Sequence, residues 1–187
     1  MRSFITLFFA LLLSTAVHAK VFNGEEVREM TWDDLMPPDY TLSYEDLYGS
    51  DVDINAIDDY EGEAQSMLDH MQQVLSSAPV VSELDGSMIR IPGFVVPLGG
   101  DDQRIDRFFL VPYFGACIHT PPPPSNQIID THFEPGTRLE SLYDAVWITG
   151  RLTVERFTNE LGTSGYRLEA YRIEPYEEDD SVPESTQ

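Results

Sequence analysis

The chain has 187 residues, with 33 Asp and Glu against 11 Lys and Arg and a formal charge of −22. Nucleic acid and anionic membranes are gripped through clustered Lys and Arg, so this balance excludes them as partners. At 42% apolar and 11% aromatic residues the chain can bury a core, and its single cysteine, Cys117, rules out a disulfide framework.

Residues 1–19 read as a secretory signal. Arg2 gives a positive start, Phe4 to Leu13 is nearly all apolar, and Val17-His18-Ala19 offers a cleavage site after Ala19. The run is too short, and too abruptly followed by polar sequence, for a stop-transfer helix; a retained N-terminal membrane anchor is the alternative. No second long apolar run follows, so the expectation is a mature chain without a membrane span, exported to a bacterial periplasm. Removing 1–19 takes away Arg2 and no acid, leaving the chain more acidic still.

Residues 20–78 form an acidic N-terminal arm and helix. In the arm, Thr31-Trp32-Asp33-Asp34-Leu35-Met36-Pro37-Pro38 has the pattern of a capped helical turn stopped by prolines. Its Trp32, Leu35 and Met36 are candidates to dock on a core elsewhere. Over 52–77, Ile54, Ile57, Ala64, Met67, Leu68, Met71, Val74 and Leu75 recur at three- and four-residue steps, which predicts an amphipathic helix. It carries His70.

From residue 79 the period changes to that of strands. The spacing predicts strands at Met88 to Leu98, Ile105 to Phe114, Asn126 to Phe133, 145–156 and Tyr166 to Ile173. The second is apolar on both faces, as a central strand would be. In the fourth, Val146, Ile148, Leu152 and Val154 point one way and Trp147, Thr149, Arg151 and Thr153 the other. The tail 177–187 is acidic, without an apolar pattern, and reads as disordered. A mainly β domain over 79–176 follows: a small OB-like β-barrel of about five strands, with a β-sandwich as the alternative.

No glycine-rich nucleotide loop, Cys-x-x-Cys pair or Gly-x-Ser-x-Gly elbow occurs. The distinctive stretch is Val111-Pro-Tyr-Phe-Gly-Ala-Cys117-Ile-His119-Thr, followed by Pro121 to Pro124 and Ser125-Asn126-Gln127. Four prolines stiffen what they flank. If extended, Cys117 and His119 leave the same face about 7 Å apart. A thiolate and an imidazole suit zinc or copper(I), and a closed site needs further ligands. His132 is one candidate, Asp130 shares its side of a regular strand, and His70 is another. Two other readings stay open. Cys117 can be a buried small hydrophobe with His119 bracing the turn, or a reactive thiol activated by His119.

Three runs, Ile91-Pro-Gly-Phe-Val-Val-Pro-Leu98, Val111 through Ile128, and Leu142-Tyr-Asp-Ala-Val-Trp147, resemble a bacterial exported family known as domain of unknown function 3299. The Thr31 to Pro38 motif and Gly165-Tyr-Arg-Leu-Glu-Ala170 are similar to its ends. The resemblance implies a periplasmic protein or lipoprotein without an assigned activity. It also implies partners among ABC transporter components and periplasmic metal proteins. The sequence therefore points to a zinc-handling or transporter-accessory protein with Cys117, His119 and His132 as metal ligands. A non-metal interaction module using the proline segment is the alternative; no complete catalytic set argues for an enzyme.

Overall fold

The computed structural model describes residues 20–48, 61–101, 104–116, 122–138 and 144–176. The expected signal segment and tail, the first part of the predicted 52–77 helix, Cys117 and His119 lie outside them.

A hairpin comes first, β1 (Lys20–Phe22) and β2 (Glu25–Glu29). Its turn is Asn23-Gly24, both at positive φ (50° and 88°), the geometry that lets two strands meet across two residues. A 3₁₀ turn at Trp32–Leu35 follows. Asp34 accepts from both the backbone N–H (2.8 Å) and hydroxyl (2.9 Å) of Thr31, which holds its carboxyl below the usual range. The turn is docked, as its apolar residues suggest. Leu35 is fully buried, and the Trp32 indole donates to the Pro92 carbonyl at 2.8 Å.

Two helices come next, α1 (Tyr44–Tyr48) and α2 (Glu61–Ser76). Met71 and Leu75, four apart, are buried on α2, as the spacing predicts.

The remaining strands are β3 (Met88–Asp101), β4 (Arg104–Val111), β5 (Ile129–Thr137), β6 (Val146–Thr153), the short hairpin β7 (Phe157–Asn159) and β8 (Gly162–Ser164), and β9 (Tyr166–Pro175). Five of them close on themselves in the order β3-β4-β5-β9-β6 and back to β3. Only β5 and β9 run parallel within this ring. That is the order of an OB barrel, and the protein is mainly β as its spacing predicts.

Closure depends on β3 pairing twice. Met88 to Gly93 pairs with β6 and Phe94 to Asp101 with β4. The switch falls at Gly93, where an added Cβ would sit 2.8 Å from the Val111 carbonyl and 2.9 Å from Leu110. Only glycine lets the neighbouring strand approach this closely.

Inside the barrel, Ile89, Ile91, Phe108, Leu110, Ile129, Ile148, Leu152, Tyr166 and Leu168 are fully buried. Each contributes about 1.5–3 kcal/mol by leaving water. A second apolar cluster forms on the outside of β3 and β4, from Val96, Phe109, Val111, Ala116 and Ile128 with Phe157 against it. The apolar character of β4 on both faces thus has a cause: one face fills the barrel and the other is covered from outside.

Candidate functional site

Along β4, Phe108 and Leu110 turn inward, so Arg107 and Phe109 turn outward. Along β5, Ile129 packs inward and Asp130 and His132 take the other face. The register sets Phe109 opposite Asp130 and Arg107 opposite His132. Cross-strand partners on one face stand within side-chain reach. A polar cluster results.

Arg107 donates from Nε to Asp130 Oδ1 and from Nη2 to Oδ2, both at 3.0 Å. Donating these hydrogen bonds to Asp130 raises the Arg107 pKa. Asp130 is buried. His132 Nε2 lies 3.1 Å from the same Oδ2. The guanidinium stacks over the Phe157 ring at 4.0 Å, and that ring meets Phe109 edge-on at 6.1 Å. A buried carboxylate is thus compensated by a planar cation and aims an imidazole. Donation through Nε2 leaves Nδ1 of the neutral ring with its lone pair.

The sequence candidates fall as follows. His132 belongs to this cluster, and Asp130 shares its face as expected. Cys117 and His119 lie outside the described residues, but the chain on either side of them does not. Ala116 is buried in the outer cluster with Phe109, Val111 and Ile128. The chain resumes at Pro122, beside Gly162 of β8. The end of the proline run is tied down: Asn126 donates to the Pro79 carbonyl and Gln127 to the Trp32 carbonyl, each at 2.9 Å. His70 is elsewhere, its Nε2 3.0 Å from the Asp46 carbonyl oxygen. Among the described residues, no group of three or more His, Cys, Asp and Glu side chains converges to hold a metal.

Arg107 and Phe157 are absent from the residues that sequence reasoning selects. The available signal for Arg107 was period two: it shares the outward parity of Phe109 on β4. Phe157 had none, because β7 is only three residues long.

On an OB barrel, the face of the second and third strands and the loop between the fourth and fifth are where ligands are held. Here these are β4, β5 and the β7–β8 hairpin, the elements that build the cluster. The chain belongs to the DUF3299 family, proteins of unknown function, whose model matches residues 32–175. It is similar to a DUF3299 family protein from Pseudomonas aeruginosa PAO1 solved at 2.45 Å, with 36% identity and a TM-score of 0.63. The likeness covers 82% of this chain and 98% of that one. No curated protein matches.

Proposed function

We propose that the protein is an exported, periplasmic protein that handles metal or is accessory to an ABC transport system, and that it holds zinc through Cys117, His119 and His132. One observation carries this reading: the His132 ring is fixed through Nε2 by Asp130, which Arg107 in turn holds at two points. Metal-binding histidines commonly donate their other ring N–H to a carboxylate, which sets the tautomer and raises ligand basicity. Thiolate and imidazole donors suit zinc, with a fourth position left for water or a cargo group.

The reading has a geometric requirement. Val111, at the Ala116 end of the outer face, is four residues from Arg107, about 13 Å at the strand rise. For Cys117 and His119 to share an ion with His132, the segment 117–121 would have to span that distance, and extended chain covers roughly 10 Å in three residues. Mass spectrometry of protein purified from the periplasm tests both parts. Stoichiometric zinc, lost in Cys117→Ser and His132→Ala, and a mature chain beginning at Lys20 are expected. Zinc-free protein, or a chain retaining residues 1–19, contradicts them.

A second reading is favoured by Tyr113 and Phe114, which are 53% and 48% exposed just before the Cys-x-His segment. They would form an interaction ledge with the proline run and need no metal. A partner lost on Tyr113→Ala but kept on Cys117→Ser supports it.

A further inference from the structure

A groove of about 530 Å³ lies between α1 and α2, away from the barrel cluster. Tyr40, Leu42 and Val74 give it apolar walls, with Glu45, Asp46 and His70 at its polar positions. Its lining also includes Ala78 and Pro79, whose carbonyls accept from Ser125 (3.3 Å) and Asn126 (2.9 Å), which anchors that part of the groove to the barrel. Nearby on the same two helices, Tyr44 and Leu68 are 52% and 50% exposed.

Charge is not spread evenly along this chain. Residues 29–89 hold fifteen Asp and Glu and no Lys or Arg, whereas residues 90–176 hold eleven acids and eight Arg. Arg28 and Arg90, at the edges of that window, pair with Asp34 and Glu29, but the groove's own lining holds Glu45 and Asp46 and no Lys or Arg. The segments outside the described structure cannot supply the missing positive charge. Residues 49–60 carry four Asp and the tail 177–187 five acids, neither with a base, and residues 1–19 hold only Arg2. A second copy of the chain is equally acidic and repelled. Charge complementarity leaves a partner of opposite sign.

We propose that this groove docks a basic segment of a partner protein, one that places an apolar side chain between Leu42 and Val74 and its Arg or Lys against Glu45. The acidic layer steers such a segment in and the apolar walls hold it. This inference is independent of the zinc reading, since it uses none of the proposed ligands.

The test is fluorescence anisotropy on the full chain, with a short fluorescein-labelled helical peptide bearing arginines on one face and leucines on the other. Saturable binding that weakens with salt is expected. Glu45→Lys should weaken it at least about tenfold and Leu42→Ala about threefold, with circular dichroism confirming that both fold. Glu160→Lys makes the same change of charge on the β7–β8 turn and should alter affinity less than about twofold. Equal losses for Glu45→Lys and Glu160→Lys would reduce the effect to net charge and overturn the proposal. Displacement by spermidine as tight as the peptide would make the site one for free polyamines instead. An absence of saturable binding overturns it outright.

Discussion

Arg107 grips both carboxylate oxygens of Asp130 at 3.0 Å, across the boundary between β4 and β5. The two partners are unequally buried: side-chain exposure is 34% for Arg107 and 4% for Asp130. Removing one is therefore not equivalent to removing the other. Arg107→Ala leaves a buried carboxylate with only His132 beside it, at a cost of about 3–5 kcal/mol. Asp130→Asn leaves a cation that can turn to water and stay on Phe157, and should cost less than half of that. Urea unfolding of the two variants measures the difference.

Tyr166 fastens three segments with one hydroxyl. It donates to the Leu35 carbonyl at 2.8 Å and accepts from the Val81 backbone N–H at 2.7 Å. Tyr166→Phe should cost about 1–3 kcal/mol, because both groups lose a buried partner. Burial holds the phenol above its ordinary pKa. A group whose pKa is raised on folding adds stability that is complete below the unfolded value, about 10, and is lost as pH rises through the folded one. Wild type should weaken across that alkaline window more steeply than Tyr166→Phe, read from denaturant midpoints at each pH.

Strand β6 provides a paired core test. Ile148 is fully buried against its neighbours, and Thr153 faces the other way, half-exposed. Ile148→Ala should cost about 2–4 kcal/mol. Thr153→Ala should stay within about 0.5 kcal/mol. Equal losses would mean that both faces of the strand are buried there.

At the N-terminus the Thr31–Asp34 cap gives a prediction at the acid end. Hydrogen bonds from Thr31 lower the Asp34 pKa. A lowered pKa gives stability that is present above the ordinary carboxylate value of about 3.9 and is lost as pH falls through the folded one. Trp32 fluorescence should therefore report undocking of the turn at higher pH in Asp34→Asn than in wild type. Coincident acid transitions in the two proteins would show that the cap does not hold the turn.

The barrel was legible because its strands bury one set of residues on a period of two. Val146, Ile148 and Leu152 declare their face without reference to any other strand. The β1–β2 hairpin was not legible by that criterion. In β2 only Val27 is buried among four exposed residues, so no alternation exists. Its one local signal was Asn23-Gly24, a turn pair that works through backbone conformation rather than hydrophobic pattern. The site was legible in part. His132 and Asp130 share a face by simple parity, but Arg107 joins them only through the register between β4 and β5. That register shifts between Ile105 and Arg107, and no property of either strand alone specifies the shift. Phe157 comes from a hairpin of two three-residue strands, too short to carry a period.

The most direct test of zinc binding at His132 is the stability of metal-free protein titrated with zinc. At about 100 times its dissociation constant, zinc should stabilise the wild type by roughly 2.7 kcal/mol, a rise of several degrees in Tm. The rise should shrink as pH falls, because the ligating sulfur must be thiolate. Cys117→Ser, His119→Ala and His132→Ala should each abolish it. Asp130→Asn, which keeps the ring but loosens its hold, should weaken affinity by about 10- to 100-fold. A wild-type melt unmoved by zinc, or a shift that survives all three ligand substitutions, would contradict the account.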